Sequence, residues 1–358
     1  MRITFVIGSL TGGGAERVVS VLANQFSDLG HQVSVITLAK EEYVYPLHEA
    51  ILRRHIATDV RIKGLSGIQR VVRLNKSIRQ LKSDMVISFT SAINIYVLLA
   101  KLGFGSKVVV SERNSPDRNP SSMLMRWIRN RLYPLSDGFV FQTESARQYF
   151  PGQIQNKGIV IANPLESNLP QPYPGIRSDK VVSVGRLEEQ KNYALLLNAF
   201  AAFKLEHPDY VLHIYGDGSL KKKTQELILD LDLEDSVILK GYVKNWHEEV
   251  LDARMYVLSS DYEGMPNALM EAMAIGLPSI ATDCPCGGPG YIIADKKNGL
   301  LFPVGDQAAL VNCMLSIADD AGFADRISKQ GISDSQRFDI SQIASQWLSF
   351  IEKVCAKL

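Results

Sequence analysis

Long apolar runs are missing from this sequence. The stretch Ile93–Ala100, itself broken by Asn94, falls far short of the ~20 residues that span a bilayer, so no transmembrane helix is expected. Cysteine is scarce, with thiols at Cys284, Cys286, Cys313 and Cys355 alone. That usage suits a reducing compartment better than a disulfide scaffold. Cys284-Pro285-Cys286 has no further Cys or His pair at zinc spacing beside it, so no metal is expected. The start, Met1-Arg2-Ile3-Thr4-Phe5-Val6-Ile7, runs into a glycine loop instead of a signal-peptide cleavage site. A soluble, cytoplasmic location is the expectation. What is present is ordinary for a globular protein: 46% hydrophobic residues in a chain of 358, long enough for two domains.

Net charge is also nearly absent, at +1, yet the two halves differ. Residues 1–162 carry 21 Lys and Arg against 11 Asp and Glu, whereas 163–358 carry 18 against 27. The basic excess peaks over 51–82, where Arg53, Arg54, Arg61, Lys63, Arg70, Arg73, Lys76, Arg79 and Lys82 face Asp59 alone. Such asymmetry directs one half toward an anionic surface, either nucleic acid or acidic lipid. The stretch contains no Phe, Tyr or Trp on which bases could stack, so no nucleic acid is expected and a non-catalytic binding module is disfavoured. Val71, Leu74, Ile78 and Leu81 share one helical face while Arg70, Arg73, Lys76 and Arg79 sweep the opposite one. This is either an ordinary surface helix or one that meets lipid or pyrophosphate.

Strand-like runs and helical patterns alternate twice along the chain. In the first half the strands are Ile3–Ile7, Val33–Thr37, Met85–Ser88, Lys107–Ser111 and Gly138–Gln142, with helices over Glu16–Leu29, Ile68–Lys82 and Ser121–Leu132. In the second they are Val181–Val184, Val211–Tyr215, Val237–Leu239, Met255–Leu258 and Ser279–Ala281, with helices over Ala194–Leu205, Leu220–Leu231 and Asn267–Ile275. Two successive βα series predict an α/β protein of two Rossmann-like, doubly wound parallel-sheet domains facing a cleft, with ligands at the strands' carboxyl ends. The expected divisions are a first domain over 1–162, a proline-rich linker over 163–179 and a second domain over 180–340. A last helix over 341–358, with Ile343, Trp347, Ile351 and Val354 at helical spacing, is expected to pack back toward the first domain.

Chemistry concentrates after three strands. Glu263-Gly264-Met265-Pro266-Asn267-Ala268-Leu269-Met270-Glu271 follows the strand Met255–Leu258 and leads into a helix. Pro266 suits a first helical turn, and the backbone N–H groups around Asn267–Leu269 would face any anion above the strand ends. Two acids therefore frame an anion site, which suits a diphosphate carrying hydroxyl-rich sugars. After Val181–Val184 comes Gly185-Arg186-Leu187-Glu188-Glu189-Gln190-Lys191-Asn192, where Arg186 and Lys191 are either solvated surface charges or a pair that holds a diphosphate. Tyr215-Gly216-Asp217-Gly218 and Gly241-Tyr242-Val243 open further strand ends and could hold a base through main-chain groups. After Ile3–Ile7, Gly8-Ser9-Leu10-Thr11-Gly12-Gly13-Gly14-Ala15-Glu16 departs from the dinucleotide spacing, which disfavours NAD but leaves a cradle for phosphate or sugar.

Together these segments resemble the retaining glycosyltransferases of family 4, which have the GT-B fold, and the resemblance covers nearly the whole chain. Its most specific parts are Glu263 with Glu271 and Gly185-Arg186 with Lys191-Asn192; Asp283–Ile293 is similar to the family's next glycine-containing loop. The resemblance implies that Arg186 and Lys191 contact the donor diphosphate and that Glu271 binds ribose hydroxyls. It implies that Glu263 contacts the transferred sugar, and that Gly264, Met265, Pro266, Asn267 and Ala268 complete the sugar and phosphate pocket. Tyr242 and Val243 would border the base, and Gly14 would close over the diphosphate. Glu263, Arg186 and Lys191 are thus the expected catalytic group, with no cofactor, no metal and no enzymic nucleophile. Family members often carry a His after the fourth strand; here Ser111-Glu112-Arg113-Asn114 places Arg113 there, and an always-charged guanidinium, which cannot act as a base, either binds a sugar or phosphate oxygen or is structural. The first half resembles transferases, including N-acetylgalactosaminyl transferases, that extend polyprenyl-diphosphate-linked glycans at the bacterial inner membrane. The expectation is a UDP-sugar-dependent hexosyltransferase, peripheral on the cytoplasmic face, with Arg70, Arg73, Lys76, Arg79 and Arg113 toward acceptor or membrane. A GT-B nucleotide-sugar epimerase or hydrolase is the alternative enzyme.

Overall fold

The computed structural model describes residues 1–39, 45–57 and 65–356. Arg61 and Lys63 of the basic stretch lie outside them. The chain forms two compact units, Met1–Pro164 with Phe338–Leu358, and Leu165–Arg337.

The first unit contains β1 (Arg2–Ile7), β2 (Gln32–Thr37), β3 (Leu52–His55), β4 (Met85–Phe89), β5 (Lys107–Ser111), β6 (Gly138–Phe141) and β7 (Gly158–Val160). Its helices are α1 (Gly14–Asp28), α2 (Leu65–Leu81), α3 (Ser91–Lys101), α4 (Met123–Leu132), α5 (Glu144–Gln148) and α6 (Gly152–Gln155). The seven strands run in the order β3-β2-β1-β4-β5-β6-β7, every neighbouring pair parallel. Strands covered by helices on both faces read as unbroken apolar runs, and β4 is buried at all five positions.

The second unit holds β8 (Ser178–Val184), β9 (Val211–Tyr215), β10 (Val237–Gly241), β11 (Ala253–Leu258), β12 (Ser279–Asp283) and β13 (Leu300–Pro303). Between them lie α7 (Tyr193–Phe203), α8 (Lys221–Asp230), α9 (Trp246–Val250), α10 (Asn267–Ala274) and α11 (Gly288–Ile292), followed by α12 (Gln307–Asp319) and α13 (Ala321–Ser335). This sheet, order β10-β9-β8-β11-β12-β13, is also parallel throughout. Strand order reverses between β8 and β11, so the loops leaving those two strands part at the carboxyl ends and open the crevice where such folds take ligands.

The last helix, α14 (Ile340–Ala356), belongs to the first unit. Its Trp347 stacks on Phe89 of β4, ring centres 5.8 Å apart. Phe350 and Val354 press on Gly138 of β6 so closely that a Cβ there would lie 2.9 Å from Phe350 Cζ. Among the described residues, no helix is long and apolar enough to cross a membrane.

Candidate functional site

In the second unit the residues after β8 and β11 are tied together. Gly216, after β9, has φ 142° and sits so near the β8 loop that a Cβ would fall 1.9 Å from the Gly185 carbonyl oxygen; glycine alone allows this closure. Glu189–Lys191 then makes one 3₁₀ turn, and Asn192, at φ 45°, caps α7 by accepting from the Leu195 N–H at 3.1 Å. Its Nδ2 donates to Asp261 Oδ1 at 2.7 Å, across to the β11 loop. Gln190 Nε2 donates to the Tyr262 carbonyl at 2.8 Å, and Ser259 Oγ to the Lys191 carbonyl at 2.9 Å. The result is Lys191 Nζ at 2.5 Å from Glu263 Oε1, with Ser260 Oγ donating to the same oxygen at 2.8 Å. Both side chains are largely buried, so the charges are compensated where water screens little.

Directly after Glu263 the chain enters α10. Pro266 stands at the N-cap position, one residue before the first turn expected for it, and its ring makes no capping hydrogen bond. Glu263, Gly264, Met265 and Pro266 are buried, while Asn267 and Ala268 are partly exposed at the helix start. One turn further in, Glu271 is buried with its Oε2 2.8 Å from His247 Nε2 on α9. In the tautomer that carries its proton on Nε2, His247 donates to that carboxylate oxygen. The Trp246 ring lies 4.1 Å from that of His247. Gly288 closes this side: a Cβ there would be 1.6 Å from the Gly264 carbonyl oxygen. The Cys284 thiol, buried beside the Glu263 charge, is pushed up to about 12 and stays protonated. Among the described residues no three His, Cys, Asp or Glu are grouped to hold a metal ion.

Arg186 is exposed on the β8 loop, and Tyr242 is exposed and Val243 half-buried just past β10. The structure thus brings Lys191 into contact with Glu263 shortly before α10, leaves Arg186 and Tyr242 on the surface past β8 and β10 with β9 between those strands, and adds His247, which the sequence reading missed.

In the first unit, Gly14 is the first residue of α1. The glycine loop before it is not an open cradle: the Gly12 and Gly13 N–H groups donate to Glu16 Oε2 at 2.8 and 3.1 Å, and Ser9 Oγ donates to Oε1 at 2.5 Å. A capping-box carboxylate takes the donors expected for phosphate. On α2, Leu74 and Ile78 are buried as expected, and Lys76 and Arg79 are exposed. Arg70 and Arg73 depart from the expected free face. The Arg70 guanidinium lies 5.3 Å over the Tyr96 ring, and Arg73 Nη1 donates to the Ala57 carbonyl at 2.6 Å. The Arg113 guanidinium lies 4.4 Å from the centre of the Phe89 ring and 5.6 Å from that of Trp347, beside the stacked pair, with Nη1 donating to Asn163 Oδ1 at 2.6 Å. Burial pulls its guanidinium down to about 9, still charged at neutral pH. Beside it, Glu112 is buried and pushed up to about 7, despite the Arg129 charge and hydrogen bonds from Ser91 and Asn94.

Comparison with known proteins covers both units. The family described as glycosyl transferases group 1 matches residues 175–334, and that described as glycosyltransferase family 4 matches 12–169. An α-1,4-N-acetyl-D-galactosaminyltransferase of Campylobacter jejuni, named for a GalNAc- and diNAcBac-containing undecaprenol diphosphate, is 27% identical over 99% of each chain. The lipopolysaccharide 1,6-galactosyltransferase of Escherichia coli K12 is 32% identical over 88% of each. Among solved structures, Anabaena Alr3699/HepE in complex with UDP and glucose superposes with a TM-score of 0.87 at 19% identity, over 98% of this chain and 99% of that one.

Proposed function

The chain belongs to glycosyltransferase family 4, and from that premise we propose a retaining transfer of a hexose or N-acetylhexosamine from a UDP-sugar to a polyprenyl-diphosphate-linked glycan. The observation that carries it is the largely buried Lys191–Glu263 pair, set shortly before the start of α10. In this reading Lys191 and Arg186 hold the diphosphate and balance the charge that grows as it leaves. The helix start adds its positive end, so the chain's own groups do the work assigned elsewhere to a divalent ion. Glu263, released from Lys191 as phosphate takes the cation, turns to the sugar hydroxyls. Glu271, steadied by His247, accepts from the ribose hydroxyls, and Tyr242 and Val243 border the base. The departing phosphate accepts the acceptor's proton on the same sugar face.

Support for the donor comes from the UDP bound in the Anabaena structure, and for the acceptor from the undecaprenol diphosphate in the Campylobacter relative's name. The exposed Lys76 and Arg79 of α2 suit an anionic membrane surface, and Arg113 remains the candidate contact to an acceptor oxygen. A UDP-release assay across UDP-Glc, UDP-Gal and their N-acetyl forms, with polyprenyl-linked acceptors, tests the proposal. Acceptor-dependent UDP release with one of these donors supports it; sugar products formed without an acceptor contradict it.

A further inference from the structure

Helix α4 is built inside out. Its arginine Arg129 is 0% exposed, while Met123, Leu124 and Trp127 are 79%, 65% and 57% exposed. A surface helix ordinarily buries its apolar stripe and solvates its charges. At about 100° per residue, Met123, Trp127, Arg131 and Leu124 fall within one arc of roughly 100°, and that arc points away from the unit.

The inversion has a local cause. Arg129 Nη1 donates to the carbonyls of Pro116 and Asn119 at 2.8 and 2.7 Å, with its guanidinium 5.1 Å over the Phe150 ring. Arg126 Nη1 donates likewise to Pro120 and Ser121 at 2.8 and 2.9 Å. These two arginines hold the loop that follows β5, and the helix is thereby rotated with its apolar side outward. An exposed cation borders that side, Arg131 lying 5.3 Å over the Trp127 ring, and a second, Arg118, is exposed on the preceding loop with Asp117 at 3.7 Å from it. From 113 to 131 there are five arginines and one acid, Asp117. The apolar exposure continues across the same helical layer. α3 packs between α2 and α4, and Leu99 of α3 and Ile68 and Val72 of α2 are also exposed.

We propose that the Met123-Leu124-Trp127 face of α4 inserts into the interfacial layer of a bilayer containing anionic lipid, with Arg118 and Arg131 on the headgroups. This deepens the lipid-linked-acceptor reading and rests on it for its setting: a lipid-linked substrate is reached only at a membrane. Tryptophan with an adjacent arginine fits the boundary between acyl chains and headgroups. A second copy of the chain is a poor occupant, because a self-complementary contact would bring the arginine rims together.

Trp127 supplies its own probe, since the other two tryptophans, Trp246 and Trp347, are buried. The full chain is mixed with vesicles of phosphatidylcholine alone or with an equal part of phosphatidylglycerol. Tryptophan emission should shift to the blue on the anionic vesicles and be quenched by lipids brominated on their acyl chains, and Trp127→Phe should lose both signals. Replacing Met123, Leu124 and Trp127 by Ser should weaken partitioning by roughly tenfold or more, with UDP affinity unchanged. Arg118→Glu with Arg131→Glu should abolish the preference for anionic vesicles. The proposal is overturned if the triple-Ser chain sediments with vesicles as the wild type does. It is equally overturned if emission shifts with protein concentration alone, which would mark a protein partner. Loss of UDP binding by the wild type would sink the transferase reading and leave the vesicle result standing.

Discussion

Lys191 Nζ meets Glu263 Oε1 at 2.5 Å, and Ser260 Oγ donates to that same carboxylate oxygen at 2.8 Å. The cation proposed to meet a donor diphosphate is thus held in place by the acid proposed to meet its sugar. Replacing Lys191 by Ala should lower turnover by roughly 10²–10³, the cost of a lost charge-stabilising group in a preorganised site. It should also cost about 1–3 kcal/mol of stability, because Glu263 is left buried without its partner. Adding Glu263→Gln to Lys191→Ala should restore stability and not turnover. Thermal denaturation run beside UDP release separates the two effects; equal recovery of both would contradict the assigned roles.

His247 acts through Glu271. His247→Ala removes the Nε2–H that fixes the carboxylate at 2.8 Å, so KM for the donor should rise by about tenfold with kcat little changed. His247→Asn, which keeps a donor, should recover part of the loss. A fall in kcat at constant KM would show that the imidazole does something other than position the acid proposed to bind the ribose.

Gly288→Ala forces a Cβ to within 1.6 Å of the Gly264 carbonyl oxygen. Backbone must shift in the segment that carries Glu263, so activity should fall by at least tenfold and the melting temperature should drop by several degrees (on the order of 2 kcal/mol). Gly305→Ala, at φ 74° with open space around it, should pay only its backbone strain, about 1 kcal/mol, and keep activity.

Glu112 gives a pH window. Burial raises its carboxyl from the ordinary 4.5 to about 7. Between those values the folded chain holds a proton that the unfolded chain has lost, so this residue's contribution is complete below pH 4.5 and declines as pH rises to 7. Glu112→Gln keeps the neutral shape throughout. The stability difference, variant minus wild type, should therefore grow from pH 4.5 to 7 by on the order of 3 kcal/mol and then level off. A difference independent of pH would mean that Glu112 ionises as freely as a surface acid.

The sequence disclosed most of this architecture because central parallel strands are buried on both faces. Phe5-Val6-Ile7 and Met85-Val86-Ile87 are apolar without interruption and can be read directly. The edge strands β3, β7 and β13 escaped notice. Leu52-Arg53-Arg54-His55 faces water on one side and carries two arginines, β7 has only three residues, and β13 ends in proline. Glu263 and Lys191 stood out because they follow strands, and Glu271 because it lies on the helix that Glu263 leads into. His247 did not, since its partner is 24 residues away and is met only through the fold. Glu16 carries a legible signal, three residues after Gly13, because an acid at that spacing can take the loop's N–H groups for itself. For α4 the period gave the helix and not its buried side, which backbone carbonyls of the neighbouring loop decide by capturing Arg129.

The most direct measurement is a structure of the protein with UDP bound. The diphosphate should lie against Lys191 and Arg186 at the start of α10, with the ribose hydroxyls on Glu271 and the Lys191–Glu263 contact lengthened. UDP seated elsewhere, with that ion pair undisturbed, would contradict the account at its centre.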